Sequence, residues 1–244
     1  MFGMIGGVYL RRKDSEDARR RILSACVKLF IENGYKNTRM ADILSAAKVS
    51  NSTFQNLFHS KDGVLMDLTE FMFDNQFSIA RTMFDKQINP VFIYALETSI
   101  QMAITELNEH IGEIYVYVYT VPETAEYIIQ KTSTELYKIF GSYMPDCEES
   151  DFYELDIGTA GIMRNYMAKK CDKYFTLEKK IERFLSLSLR VYNVPQDEIK
   201  IIISRILEMD ICSMANDVMQ KLFKGLEMKF NFTLTEMGEL QNEV

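Results

Sequence analysis

Small polar side chains are concentrated in one short segment near the amino terminus. Asn51, Ser52, Gln55, Asn56 and His59 fall on one short face if this segment is helical. Amide and hydroxyl groups of this kind can hydrogen-bond base edges and phosphates in the major groove of DNA. The same pattern is also typical of the solvated surface of a small helical bundle, and the spacing alone leaves both interpretations open.

Catalytic and metal-ligating side chains are scarce along the 244 residues. The chain has two histidines, His59 and His110, and four cysteines that form no CxxC pair. Its sequence contains no GxSxG, GxGxxG, P-loop or HExxH motif. The carboxylates of Glu148 and Glu149 are adjacent at a predicted helix start. Their side chains would point in different directions and would not form a catalytic pair. These observations predict a protein that is not an enzyme, with no catalytic residue, no metal site and no cofactor.

Charge is unevenly distributed along the chain. Residues 1–65 contain eleven Lys or Arg and six Asp or Glu, a balance of +5, whereas the remainder carries 17 and 29, a balance of −12. The two sum to the net charge of −7. A basic module that faces a polyanion is one explanation, and a solvated helix start is the other. We expect residues 1–14, with Arg11, Arg12 and Lys13, to be a flexible basic arm that follows phosphates or the minor groove.

Apolar periodicity behind this arm predicts four helices in close succession. Apolar residues repeat at helical spacing over 15–33, and a glycine follows where a helix end favours positive φ. Thr38, Ser50 and Ser60 are predicted to cap the next three helices. Three short helices joined by tight turns bury one small core, so residues 15–64 are expected to form a helix-turn-helix domain, and its polar face would suit DNA binding. An ordinary three-helix bundle has the same apolar pattern.

Several motifs between residues 20 and 65 follow one gapless pattern. They comprise a helix ending L-F-x-x-x-G-Y, a threonine that opens the second helix, an I-A-x-x-A-G-V-S-like turn, a T-hydrophobic-x-x-x-F helix and an S-K-acidic helix start. The residues that carry them are Leu29, Phe30, Gly34, Tyr35, Thr38, Ile43, Ala46, Ala47, Lys48, Val49, Ser50, Thr53, Phe54, Phe58, Ser60, Lys61 and Asp62. With these motifs, the segment resembles the DNA-binding domain of the TetR family of bacterial regulators.

The resemblance implies that the third helix enters the major groove and that the starts of the second and fourth helices meet the DNA backbone. The predicted DNA-binding residues are Thr38, Arg39, Ser50, Asn51, Ser52, Thr53, Gln55, Asn56, His59 and Lys61. For His59, an ordinary helix-end residue is an equal alternative.

Three departures from the family pattern bear on the target. Lys48 stands where glycine is usual, Asn51 where Lys or Arg is usual, and Gln55 and Asn56 where a tyrosine is usual. Asn and Gln can pair bidentately with adenine, which favours some reading of A·T pairs. The same departures motivate an alternative function, a helical protein-interaction adaptor that has lost specific DNA binding.

The remaining residues, 65–244, are predicted to be helical throughout. The predicted helices cover 65–87, 90–110, 122–143, 148–170, 176–192 and 195–224, and Thr176 and Asn193 are predicted to cap the last two. Residues 114–120 alternate like a strand, but a single strand would have no partner, so this segment is also assigned to a helix. The longest apolar stretch is too short to cross a membrane, and we expect a cytoplasmic protein without membrane contact. The predicted fold is all-α, with the helix-turn-helix domain joined by a long helix to an all-helical effector-binding and dimerisation domain.

The resemblance implies that residues 65–244 bind a small effector and pair two chains, because an operator has two half-sites about one DNA turn apart. Methionine and aromatic residues favour a partly apolar effector. The predicted ligand-binding residues are Phe84, Met102, Tyr115, Tyr119, Met163, Arg164 and Tyr166. The predicted dimer residues are Phe184, Ile199, Ile203, Ile206 and Met209.

Each of these two residue sets has a structural alternative. The aromatic residues and methionines could simply be core, and the predicted dimer residues could pack only within their own subunit. Arg164 could clamp an acidic ligand or pair with Glu154 or Asp156.

The function expected from these features is that of a transcriptional regulator. The family resemblance implies a repressor. It would bind double-stranded operator DNA as a homodimer and be released by a small-molecule effector. A regulator that senses no small molecule is a further alternative.

Overall fold

The computed structural model describes residues 3–82 and 89–234, with side chains described for 14–73 and 89–234. Every regular element in these ranges is helical, so the all-α prediction is confirmed. The helices are α1 (Gly3–Asn33), α2 (Met40–Ala47), α3 (Asn51–Phe58), α4 (Lys61–Thr82), α5 (Pro90–Leu107), α6 (Glu109–Val118), α7 (Pro122–Phe140), α8 (Glu149–Ala168), α9 (Leu177–Val191), α10 (Gln196–Leu207) and α11 (Ile211–Phe230), with a 3₁₀ turn at Gly141–Tyr143.

The chain divides into two compact units. The first unit comprises residues 1–68 with 222–244, and the second unit comprises residues 69–221. The sequence-based division at residue 65 assigns the carboxyl terminus to the second domain, whereas its last described residues pack in the first unit. The boundaries of the two units fall inside helices α4 and α11, where no loop signal marks them.

Helix α1 begins at Gly3, so residues 3–14, for which the sequence predicts a flexible arm, are helical. The segment continues directly into the strongly periodic helix that follows it. Extending an existing helix fixes one residue for each new hydrogen bond, whereas starting one fixes several residues for a single bond.

The core of the first unit follows the predicted apolar faces. Ile22, Cys26 and Phe30 of α1 are fully buried, and they share this core with Ile43 of α2 and Phe54 of α3. Burial raises the pKa of the Cys26 thiol to about 12. The thiol therefore stays protonated and behaves as a small apolar core residue.

Helix α5 is the central helix of the second unit. Between Val91 and Thr105 nearly all of its side chains are buried, on every face of the helix. A helix with no exposed face must be surrounded by others, and α5 packs against α6, α7, α8, α9 and α10. Beside it, the rings of Phe140 and Tyr192 stack at 4.3 Å, and Tyr94 meets Phe140 edge-on at 5.1 Å.

A buried ion pair fastens three helix ends of the second unit. The ammonium of Lys180 on α9 is fully buried and donates to the carboxylate of Glu106 on α5 and to the carbonyl oxygen of Lys169 after α8. The other Glu106 oxygen accepts from the Cys171 N–H at 3.2 Å. The Lys180 ammonium and both Glu106 oxygens thus have hydrogen-bond partners, so the charge of Lys180 can be buried without leaving a polar group unpaired.

Some of the predicted N-cap residues cap their helices in the structure, and others do not. The Ser50 and Thr176 hydroxyls accept backbone N–H groups at the starts of α3 and α9, and Ser60 does so at α4, as predicted. Thr38 does not cap α2, because Arg39 occupies the N-cap position. Asn193 does not cap α10 either, because Pro195 holds the corresponding position there.

Two predicted long helices are each broken into two. Asn108 interrupts the helix predicted for 90–110, and its side-chain oxygen accepts from the Ile111 N–H to start α6. Asp210 similarly interrupts the helix predicted for 195–224 and accepts from the Ser213 N–H to start α11. Both are residue types that compete with the helical backbone and favour caps. Residues 114–118 lie within α6, so the helical assignment of that stretch is confirmed.

No helix in the described ranges is both long and apolar enough to cross a membrane.

Candidate nucleic-acid interface and ligand cavity

The polar face predicted for the third helix is exposed on α3. Ser50 caps the helix by accepting from the Thr53 N–H at 3.1 Å. Phe54 and Phe58 turn inward, with ring centroids 5.8 Å apart. The opposite face presents Gln55 and Asn56 to solvent, together with Asn51 and Ser52. An eight-residue helix anchored by two buried rings thus displays amide and hydroxyl groups without needing them for its own packing.

The turn between α2 and α3 is fixed by a left-handed residue and an arginine clamp. Lys48 adopts φ 52° and ψ 51°, and the Val49 N–H donates to the Leu44 carbonyl oxygen at 3.2 Å. From α1, the Arg21 guanidinium donates to the carbonyl oxygens of Ala47 and Lys48 at 2.9 and 3.1 Å. The clamp satisfies carbonyl groups that α2 leaves open at its end.

The turn between α3 and α4 is equally constrained. His59 has φ 58°, and the Ser60 N–H donates to the Phe58 carbonyl oxygen at 2.5 Å. A Cβ at Gly63 would lie far inside contact distance of that same carbonyl oxygen. Position 63 therefore has to be glycine for this turn to close.

Helix α4 is held by charge and ring contacts within the first unit. Arg19 of α1 donates two hydrogen bonds to Asp67 at 2.7 and 2.8 Å, and its guanidinium lies 4.7 Å from the centre of the Phe58 ring. A bidentate pair of this kind fixes orientation as well as distance. Together, Arg19 and Arg21 connect α1 to α2, α3 and α4.

The ten predicted DNA-binding residues fall into three groups. Seven are exposed: Arg39, Ser50, Asn51, Ser52, Gln55, Asn56 and His59. Thr53 is half-buried, with its hydroxyl 2.9 Å from that of Ser50. Thr38 and Lys61 are engaged inside the unit, which the sequence did not indicate.

Both of these side chains bind carbonyl oxygens. Thr38 is only 2% exposed, and its hydroxyl donates to the carbonyl oxygens of Leu29 and Gly34. The Lys61 ammonium donates to the carbonyl oxygens of Tyr35 and Thr38 at 2.8 and 2.9 Å and lies over the Tyr35 ring. These contacts correct the expectation that both side chains point at the DNA backbone.

A carboxyl-terminal segment completes the first unit and was not predicted there. Ser24 of α1 donates to the Asn231 carbonyl oxygen at 3.3 Å, and Lys28 donates to that of Thr233 at 2.8 Å. Glu227 folds the segment back by accepting from the Leu234 N–H at 2.6 Å. No local signal marks this packing, since the two parts of the unit are about 200 residues apart in sequence.

The second unit contains a cavity of about 50 Å³. Its wall is mainly apolar and aromatic, with several hydroxyls, one amide and two carboxylates. The lining residues are Phe73, Tyr94, Glu97, Thr98, Gln101, Tyr119, Ile128, Thr132, Leu136, Asp156, Thr159, Ala160, Met163 and Phe184. A cavity of this size holds a few water molecules.

Only part of the predicted ligand set lines this cavity. Tyr119 and Met163 are on its wall. Met102 and Tyr115 are buried in the core and are not among the wall residues. Tyr166 packs against Phe175 and Phe184 instead. Phe84 lies outside the described residues.

Arg164 and its expected partners are also arranged differently. Its guanidinium donates to the Asn165 side-chain oxygen at 3.0 Å and forms no ion pair with Glu154 or Asp156 in the described residues. It does not belong to the cavity wall. The prediction missed the carboxylates Glu97 and Asp156, because they line one cavity only once α5 and α8 are packed.

Asp156 is the most unusual polar residue of the wall. It is 6% exposed and accepts hydrogen bonds from the Thr132 hydroxyl and, at 2.8 Å, from the Thr159 hydroxyl. Burial raises the pKa of its carboxyl group to about 6, despite these two hydrogen bonds. The side chain therefore remains largely ionised at neutral pH, and its hydrogen-bond donors among the described residues are two hydroxyl groups.

The predicted dimer residues are mostly part of the chain's own core. Phe184, Ile199 and Ile206 are no more than 1% exposed, and Phe184 lines the cavity. These three side chains pack within their own subunit, which favours the alternative stated for them, because a fully buried side chain has no area left for a partner. Ile203 and Met209 are half-buried. Several other apolar side chains are exposed, among them Ile157 on α8, Leu187 on α9 and Ile201 on α10.

The first unit therefore defines a helix-turn-helix domain, in which a capped second helix and a rigid turn hold a short exposed helix. Residues 22–68 match the family model described as bacterial regulatory proteins, tetR family. The match confirms the resemblance read from the sequence: the amino-terminal segment is a TetR-type DNA-binding domain.

Two curated relatives are similar to part of the chain. The HTH-type transcriptional repressor DhaR of Mycobacterium sp. (strain GP1) is 34% identical over 74 residues, which cover 30% of this chain and 37% of that protein. The uncharacterized HTH-type transcriptional regulator YuxN of Bacillus subtilis (strain 168) is 26% identical over 98 residues, covering 40% and 32%. The chain thus spans about a third of the length of the relatives it matches. No solved structure matches.

Proposed function

We propose that this protein is a transcriptional regulator that binds double-stranded operator DNA as a homodimer and is released by a small molecule. The observation that carries the proposal is the exposed polar face of α3 on a TetR-type domain. Asn51, Ser52, Gln55 and Asn56 are free of core packing there, and amides read base edges by paired hydrogen bonds. Repression is the direction we favour, since one relative is named a repressor.

The way α3 is held supports a reading role. Recognition needs side chains fixed within a fraction of an ångström, so the element that carries them must not shift. The Arg21 clamp on one turn and Gly63 in the other restrict α3 at both ends. Helix α3 itself carries no Lys or Arg, so we assign phosphate contacts to neighbouring residues such as Arg39, which is exposed at the start of α2.

Duplex binding is the direct test. We would titrate fluorescently labelled DNA from the region upstream of the protein's own gene and measure anisotropy at two salt concentrations. Wild-type protein should bind tightly and weaken steeply with salt. The double variant Gln55→Ala/Asn56→Ala should lose at least about tenfold in affinity, because each paired amide contact contributes about 1–3 kcal/mol.

A matched control isolates the reading face. Asn216 and Gln220 are an exposed Asn and Gln one turn apart on α11, in the second unit. Asn216→Ala/Gln220→Ala should bind DNA like the wild type. Absence of binding to this and neighbouring intergenic DNA at low salt would contradict the proposal. It would favour the protein-interaction adaptor, for which the lack of Lys or Arg on α3 is the motivating observation.

For the homodimer, we propose a surface on α8 and α9 in place of the predicted residues. Ile157 is 54% and Leu187 is 44% exposed, and the two helices pack together through the Thr159 and Tyr192 hydroxyls at 2.7 Å. A Cβ added at Gly158 or Gly161 would meet no atom within 4 Å. This part of α8 can therefore approach a second copy closely.

Light scattering on a sizing column tests that surface. The wild type should have about twice the chain mass of 28.4 kDa. Ile157→Glu/Leu187→Glu should be monomeric, because two buried carboxylates on a symmetric interface repel and lose hydration. Ile201→Glu, on the exposed face of α10, is the control and should remain dimeric. A monomeric wild type in the presence of operator DNA would refute the dimer.

A further inference from the structure

The cavity of the second unit is acidic. Its lining includes the carboxylates of Glu97 and Asp156, which are 5% and 6% exposed. Among the described residues, the lining includes no Lys, Arg or His. A negative charge removed from water is costly unless an opposite charge or several hydrogen bonds compensate for it. Asp156 has no cationic side chain against it among the described residues, and its carboxylate therefore favours a ligand that brings positive charge.

Asp156 supplies the main part of this argument. One of its oxygens accepts from the Thr132 hydroxyl and the other accepts from the Thr159 hydroxyl. A carboxylate has about four acceptor positions, so both oxygens can still accept from a ligand. The two hydroxyls fix the carboxylate in place without neutralising it.

Gln101 is a second and independent indication of a ligand. It is 5% exposed and lines the same cavity from α5. Its side-chain amide makes no hydrogen bond to any residue in the described part of the chain. Buried amides nearly always have a partner, so this one is available to a molecule inside the cavity.

Aromatic rings supply the rest of the wall. Phe73 meets Tyr119 edge-on at 6.5 Å, and Tyr94 and Phe184 also line the cavity. Aromatic rings attract cations through their faces and pack against apolar groups. Burial, followed by the nearby charge of Asp156, raises the pKa of Tyr119 well above its usual value, so its hydroxyl stays neutral.

We propose that this cavity binds a compact organic cation, an ammonium group joined to a small apolar body. The ammonium group lies against Asp156 and within reach of Gln101, while the apolar body lies among the rings. At about 50 Å³ the cavity admits only a small ligand unless the flexible Met163 side chain moves aside. This inference rests on the proposed effector site and names the chemical class of its ligand.

Calorimetry without DNA tests the ligand class separately from DNA binding. The probes are two pairs of similar shape and different charge: benzylamine with benzyl alcohol, and choline with 3,3-dimethylbutanol. Benzoate provides the opposite charge. At least one cation should bind full-length protein tenfold or more tightly than its neutral counterpart, and benzoate should not bind.

Two further measurements tie the binding to Asp156. Asp156→Asn keeps the shape of the side chain and should abolish the preference for the cation, whereas Asp146→Asn, an exposed carboxylate of the same unit, should retain it. In the wild type, cation affinity should fall about tenfold from pH 7 to pH 5 as Asp156 gains a proton with a pKa of about 6. Glu97, Tyr94 and Tyr119 also face this space, and the two tyrosines remain neutral over that range.

If Asp156→Asn fails to fold, the cation affinity of the wild type at pH 7 and pH 5 still tests the role of Asp156. The inference is overturned if neither cation binds, if a neutral probe or benzoate binds as tightly as the cations, or if cation affinity does not change between pH 7 and pH 5. Each of these results would leave the DNA-binding proposal standing, because no DNA is present. If a cation does bind, its ability to release operator DNA then tests whether it acts as the effector.

Discussion

Replacement of Lys48 by glycine should stabilise the DNA-binding unit. Lys48 ends α2 with φ 52° and ψ 51°, a conformation in which a side chain with a Cβ costs about 1–2 kcal/mol. Glycine removes that cost. It also gives the unfolded chain more conformational freedom, which destabilises the folded state by about 0.5–1 kcal/mol. The net gain in the free energy of unfolding should be about 0.5–1 kcal/mol. The Arg21 clamp binds carbonyl oxygens and is therefore kept in the variant.

Urea unfolding followed by far-ultraviolet circular dichroism measures this gain. With a slope of about 2–3 kcal/mol per molar urea, the midpoint should rise by roughly 0.2–0.5 M. Hydrogen exchange in the peptide that spans α2 and α3 would locate the effect in the first unit. Lys48→Ala removes the same charge but keeps a Cβ, and it should show no gain.

Asn193 offers a second comparison, because it also has a left-handed backbone, with φ 55°. Asparagine tolerates this conformation better than lysine, so Asn193→Gly should gain less than Lys48→Gly. The reasoning fails if Lys48→Gly is no more stable than Lys48→Ala, since the Cβ would then not be the source of the strain.

Two further predictions concern the other constrained regions. Gly63→Ala should destabilise the first unit by about 1–3 kcal/mol, because its Cβ would collide with the Phe58 carbonyl oxygen; an unchanged urea midpoint would contradict this. Burial raises the pKa of Glu106, but hydrogen bonds from Lys180 and the Cys171 N–H outweigh burial and hold it below its usual value. Its contribution to stability is therefore present above the unfolded pKa of about 4.3 and lost as the pH falls through the lower folded value. Glu106→Gln should accordingly lower the unfolding midpoint at pH 7 and lower it less near pH 3, and an equal loss at both pH values would contradict the ion-pair explanation.

The DNA-binding segment could be predicted in detail because its signals are local. The Ser50 cap, the positive φ of Gly34 and the inward Phe54 and Phe58 each follow from a residue type within one or two turns. The residue that caps α2 was predicted incorrectly. Thr38 has the right chemistry for a cap, yet its hydroxyl is drawn to carbonyl oxygens of α1 that only the folded turn brings near.

The breaks at Asn108 and Asp210 could have been found from the sequence. Both are good capping residues, and each begins a helix that a continuous apolar pattern concealed. Periodicity alone does not distinguish one long helix from two that share a face.

The residues that line the cavity and those exposed for a second subunit could not be predicted from the sequence. Gln101 and Asp156 line the same cavity because α5 and α8 pack with particular rotations. Apolar periodicity shows only that each helix has a buried side, not which residues of two buried sides enclose a space. For the same reason Phe184 and Ile199 were predicted to face a second chain, although they face inward.

The way the first unit uses its basic residues has a consequence for any mutational scan of DNA binding. Arg19, Arg21 and Lys61 hold the carboxylate of Asp67 and four carbonyl oxygens of the unit. Alanine at any of these positions would weaken DNA binding by loosening the domain, and would resemble the loss of a phosphate contact. The number of ions released on binding separates the two cases, because only a true phosphate contact changes it, by about one ion for each contact.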